Sequence, residues 1–131
     1  MQGKLGKSAS ESVTQVLKCI ATGTKSDFQP GTPVVLKTFQ KSSATCIHDI
    51  LAVEREIKAL TLLSSHPNVV RYYNTLHGKE CVYIAMESYS MDLFEFIGSY
   101  KSKIDRQVSS VIIQDILSGL AHLGKIGVCH R

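Results

Sequence analysis

The chain has 131 residues, enough for one domain with one moderate core. Its hydrophobic fraction of 44% is that of an ordinary soluble globular protein, and no apolar run approaches the roughly 18 residues needed to cross a bilayer. The net charge of +4 comes from lysines and arginines scattered along the chain without a basic block, so neither nucleic acid nor a membrane is expected as a partner.

Cys19, Cys46, Cys81 and Cys129 are far apart, which argues against a zinc knuckle or a redox pair, and the five histidines show no metal-type spacing. The start, Met1-Gln2-Gly3-Lys4, has no apolar signal-peptide core, and its glycine stands one place too late for myristoylation. Together with unpaired thiols, this sets the expectation of a cytoplasmic or nuclear protein.

Residues 1–20 read as the end of one strand, a glycine-poor turn and a second strand from Val13 to Ile20. Residues 21–33 are polar and turn-forming, a surface connection. Val34-Val35-Leu36-Lys37-Thr38-Phe39 follows, an apolar run with one basic residue, read as a buried strand from which an ammonium reaches out. In the loop over residues 41–45 a Ser or Thr is placed to cap the next helix, with Asp49 in its first turn.

That helix is predicted over residues 46–64, with Ile50, Val53, Ile57 and Leu60 on one apolar face and Pro67 as its stop. A carboxylate on it could fix the Lys37 ammonium. Glu54 and Glu56 flank the apolar face at similar angles, so periodicity leaves the choice between them open. Residues 69–76 and 81–87 read as two strands joined by the His77-Gly78-Lys79-Glu80 turn. A short amphipathic helix is predicted over residues 92–100 and a longer one over residues 106–125. The longer one carries Val108, Ile112, Ile116, Leu120 and Leu123 on one stripe. Val111, Ile113 and Leu117 widen it, a circumference that expects burial on several sides.

Several of these stretches occur in a telling order. Val-Val-Leu-Lys ending at Lys37 comes first, then Arg55-Glu56-Ile57 and His66-Pro67-Asn68-Val69-Val70. Tyr83 to Tyr89, Ser118 to Leu123 and Val128-Cys129-His130-Arg131 complete the series. From about Leu5 to Arg131 the chain resembles the first half of a protein kinase domain. The stretches around His66, Tyr83 and Ser118 are most similar to the endoplasmic-reticulum stress sensors that join a kinase to an endoribonuclease.

The resemblance implies an α+β fold: a kinase-like small lobe (a five-stranded antiparallel sheet with one helix), then the first two helices of an incomplete large lobe. Residues 1–89 would form the small lobe and hinge, and residues 90–131 the start of the helical lobe. It also implies an ATP site. Gly6, Ser8 and Val13 would lie on the loop over the phosphates, where only Gly6 and Val13 match the family pattern. Ser8 and Glu11 replace two of its glycines; serine keeps the backbone further from phosphate, and the carboxylate repels it. Leu5, Val13 and Val35 would roof the adenine, with Met86 at the back. The Glu87 carbonyl and the Tyr89 backbone would read the base edge, and Asp92 would lie near the ribose. Lys37 would hold the phosphates, and the family register names Glu56 as its partner.

The function implied is ATP-dependent phosphorylation of protein serine and threonine by a domain cut short in this chain. The expected catalytic Asp would come just after Arg131, and no metal-binding Asp or Asn of the family falls within residues 1–131. Mg²⁺ therefore has no ligand here, and the chain alone is expected to be inactive. Two alternatives stand beside this reading: a non-catalytic nucleotide-binding or kinase-docking module with pseudokinase character, and a decayed gene fragment. For the module, the helix over residues 107–123 is the expected protein-binding surface.

Overall fold

The computed structural model describes residues 13–22, 29–63, 65–100 and 103–130, and of residues 13–15 the backbone only. Its strands are β1 (Val13–Ile20), β2 (Pro33–Gln40), β3 (Tyr72–His77) and β4 (Cys81–Glu87). The helices are α1 (Ile47–Leu63), α2 (Leu93–Ser99) and α3 (Arg106–Ile126). The four strands form one antiparallel sheet in the order β1-β2-β4-β3. The fifth strand expected near the amino terminus lies outside the described residues.

β2 and β4 are the inner strands, and the core gathers on them. Val34, Phe39, Ile84 and Ala85 are buried, with Ile84 at 0% exposure. Register fixes which side chains share a face, because directly opposed residues in an antiparallel pair point the same way. Lys37 is opposed by Val16 on β1 and by Ile84 on β4, and Val35 by Lys18 and Met86. One face of the sheet therefore carries Val16, Lys18, Val35, Lys37, Ile84 and Met86 together.

β3 begins at Tyr72, three residues later than the strand predicted from Val69. The backbone from His66 to Val69 instead closes a turn, with the Val69 N–H donating to the His66 carbonyl at 3.1 Å. A bulge between Tyr72 and Asn74 interrupts its pairing with β4. The Asn74 side chain takes the Thr75 N–H at 2.7 Å. A bulged edge strand is a poor template for adding another strand.

α1 matches its predicted span to within a residue at each end. Its amino terminus is closed differently from expectation: the Asp49 carboxylate reaches back and accepts from Thr45 N–H (2.8 Å), Thr45 hydroxyl (3.2 Å) and Cys46 N–H (3.2 Å). Thr45 donates to the carboxylate and does not cap the helix, since the residue before Ile47 is Cys46, and Asp49 stands where a capping box places its acid. Along the helix Val53, Ile57 and Leu60 are half-buried and Leu63 is buried, but Ile50 is exposed. The predicted apolar face thus covers the sheet only beyond the first turn.

α2 and α3 each start on an aspartate cap: Asp92 accepts from Glu95 N–H at 2.7 Å, and Asp105 from Gln107 N–H at 2.6 Å. α3 ends on Gly127 at φ +77°, where the Val128 N–H returns to the Leu123 carbonyl at 2.9 Å. This is the left-handed close that glycine adopts without steric cost. Burial of α3 is narrower than its apolar circumference suggested. Gly119 and Leu123 are buried, while Val111, Ile113, Ile116, Leu117 and Leu120 stay exposed. Among the described residues, α3 meets the rest of the fold chiefly along the side that carries Gly119, His122 and Leu123.

Candidate active site

Lys37 leaves the sheet from the middle of β2, an inner strand, so its Cα has little freedom. Its ammonium lies 2.5 Å from Glu56 Oε1, and the two side chains are 19% and 32% exposed. The partner that helical periodicity left open is therefore Glu56. Glu54 turns outward to Lys58, one turn on, at 2.7 Å. That exposed pair lowers the Glu54 pKa, first through the hydrogen bond from Lys58 and then through its charge. An exposed i,i+4 pair of this kind contributes little to stability and bridges no second element. The Lys37–Glu56 pair differs because it bridges two elements. A compact ammonium anchored this way presents a fixed positive charge, which suits phosphate oxygens.

Val35 and Met86 oppose one another in the β2–β4 register, both half-buried, on the face that also carries Lys37. Glu87 ends β4, and its N–H donates to the Arg71 carbonyl at 2.9 Å. The Glu87 carboxylate accepts the Tyr89 hydroxyl at 2.9 Å. The Tyr89 pKa is raised by burial first and by this bond next, since losing the proton would set a phenolate against a carboxylate. Asp92 follows, its carboxylate engaged as the α2 cap. The chain after β4 is thus tied down on both sides of the segment from Glu87 to Asp92.

Leu5, Gly6 and Ser8 lie outside the described residues, as does Glu11. Val13 opens β1, and its Cα stands opposite Phe39, beyond a register shift between Val13 and Gln15. The β1 residues that face Lys37 and Val35 across the register are Val16 and Lys18. Sequence reading missed both, because the shift falls between them and the glycine-loop pattern that set the frame. Lys18 adds a further tie, its ammonium donating to the Ser90 carbonyl at 3.3 Å. Phe39 was also missed; its ring lies beneath the Lys37 ammonium, 5.4 Å from Nζ to the centroid.

Two concavities mark the surface elsewhere. One, of about 530 Å³, lies between α2 and α3 and is lined mainly by apolar side chains including Phe96, Val108 and Ile112. The other, of about 540 Å³, is polar and lies by His66, Arg71, Tyr73 and Glu87. Neither is lined by Lys37 or Glu56. No cluster of three His, Cys, Asp or Glu side chains suited to a metal ion occurs among the described residues. No helix among them is long and apolar enough to cross a membrane.

Comparison with known proteins gives the same picture. The family model of the protein kinase domain matches residues 4–131. The chain is 37% identical over 117 residues to CDPK-related kinase 7 of Arabidopsis thaliana, covering 86% of this chain and 20% of the relative. It is 35% identical over 79 residues to human serine/threonine-protein kinase/endoribonuclease IRE2, covering 60% of this chain and 8% of that protein. The chain thus spans a fifth or less of the length of these relatives. Among solved structures, Rad53 1-466 in complex with AMP-PNP shares the fold at a TM-score of 0.75 and 23% identity, covering 99% of this chain and 32% of that one. The chain belongs to the protein kinase family, and the Lys37–Glu56 pair lies inside the matched region.

Proposed function

We propose that residues 1–131 form the nucleotide-holding half of a serine/threonine protein kinase domain, with residues 1–89 as small lobe and hinge and residues 90–131 opening the helical lobe. The observation that carries this reading is the 2.5 Å contact between Lys37 and Glu56, which joins the sheet to α1. Lys37 binds the phosphates of ATP and Glu56 holds it in place. Val35 and Met86 border the base, and the family pattern assigns Leu5 and Val13 to its roof. The Glu87 carbonyl and Tyr89 backbone bond its edge, and Asp92 lies toward the ribose. The family pattern assigns Gly6 and Ser8 to the loop over the phosphates. AMP-PNP in the Rad53 complex motivates the choice of ligand.

Magnesium enters with the nucleotide. The described residues offer no three-ligand cluster for it. In this reading the chain binds Mg-ATP, in the cytoplasm or nucleus. A thermal-shift titration with Mg-ATP tests it. The wild type rises in Tm with nucleotide and Lys37→Ala loses the rise; an equal rise in both would remove Lys37 from the site.

A second reading is a docking module. It is favoured by the exposed α3 residues Val111, Ile113, Ile116, Leu117 and Leu120, which suit a protein partner such as a second kinase chain. Sedimentation with and without candidate kinases tests this, and a monomer indifferent to all of them would dismiss it.

A further inference from the structure

Phe39 stands two residues after Lys37 on β2, so both side chains leave the same face of the sheet. Its ring is buried, 6% exposed, and the Lys37 ammonium lies over it at 5.4 Å from the centroid. Lys37 therefore has two stabilising neighbours: a carboxylate from α1 and the negative face of an aromatic ring from its own strand. These differ in one mechanical respect. Glu56 belongs to a separate element, α1, whereas one strand carries both Phe39 and Lys37. A ring face beneath a partly desolvated ammonium attracts it without competing for its N–H donors. All three donors then remain for the carboxylate and for phosphate oxygens.

We propose that Phe39 is a positioning residue for the nucleotide-binding lysine, its π face confining the ammonium where phosphate is met. The proposal rests on the reading of Lys37 as a phosphate ligand. Core packing alone would also explain a buried phenylalanine, so the test must separate the ring's charge distribution from its volume.

Mono-, di- and trifluorinated phenylalanine at position 39 of the full chain achieve that separation. Fluorine withdraws π density stepwise while changing ring size little. The dissociation constant for Mg-ATP is expected to rise along the series, by about two- to five-fold in all. The nucleotide-free Tm should hardly move, and Phe39→Leu should bind like the trifluorinated chain. In the nucleotide-free wild type, ring current should shift the Lys37 Hε resonances upfield, and Phe39→Leu should abolish that shift. Unshifted Hε resonances in the wild type would overturn the contact itself. A flat dissociation constant along the series, with the ring-current shift intact, would reduce Phe39 to packing. Failure of the wild type to bind Mg-ATP, with the ring-current shift present, would overturn the nucleotide reading and the positioning role with it.

Discussion

Gly119 of α3 is packed against the backbone of Asn68, so closely that a Cβ built on it would stand 2.8 Å from the Asn68 carbonyl oxygen. One turn along, His122 stacks its ring on that of His66, with centroids 4.6 Å apart and planes at 25°. The His66 ring is itself oriented, because its Nδ1 accepts the Asn68 N–H at 3.1 Å. The turn after α1 and the helix α3 therefore meet at a joint of two residues on each side.

Gly119→Ala should open that joint. Alanine gains about 1 kcal/mol of helix propensity over glycine, but the clash is with backbone, and overpacking of this kind costs about 1–3 kcal/mol. A net loss is expected, lowering Tm by several degrees. Gly124, on the same helix, has nothing within 4 Å of a built Cβ, so Gly124→Ala should raise Tm instead. Thermal melts of the two variants should differ in sign; a shared sign would mean the Asn68 contact does not restrain α3.

Acid sensitivity should trace in part to Asp49. Backbone N–H groups of Thr45, then of Cys46, hold its carboxyl below the ordinary 3.8. The folded pKa is thus lower than the unfolded one. Its contribution is present above about pH 4 and fades as pH falls through the folded value. Asp49→Asn should be less stable than wild type near neutrality, with the difference closing below about pH 4. Urea melts across that range measure it, and a difference independent of pH would exclude the carboxylate as the cause.

Glu87→Gln should lower the Tyr89 pKa toward the ordinary 10.0, since it removes the charge that opposes the phenolate. Burial would keep part of the elevation. A ¹³C-tyrosine NMR titration follows this directly. An unmoved Tyr89 would mean that the 2.9 Å hydrogen bond does not persist in solution.

The strands and helices were largely legible because their apolar periods are clean: α1, α3 and β2 match the expected spans to within a residue at each end, and β4 matches throughout. Lys37 stood out as the one charge in an apolar strand. Its partner was legible only through the family register, because Glu54 and Glu56 are equivalent on a bare helix; in the structure Glu56 meets Lys37 and Glu54 turns to Lys58. Lys18 and Phe39 escaped notice because their roles depend on strand register and on side-chain reach across or along the sheet. The exposure of Ile50 and of half of α3 was equally hidden, since periodicity shows which residues share a face but not how far that face is covered.

The most direct measurement is a double-mutant cycle on Mg-ATP binding by calorimetry, with Lys37→Ala, Glu56→Gln and the two combined. If Glu56 acts by holding Lys37 against phosphate, Lys37→Ala weakens binding about tenfold or more, as expected for a charge-assisted bond. Glu56→Gln weakens it less, and the double variant binds no worse than Lys37→Ala, a coupling within the usual range for contacting residues of about 0.5–3 kcal/mol. Losses that simply add, or binding unchanged in all three variants, would show that the two side chains do not act as one unit on the nucleotide.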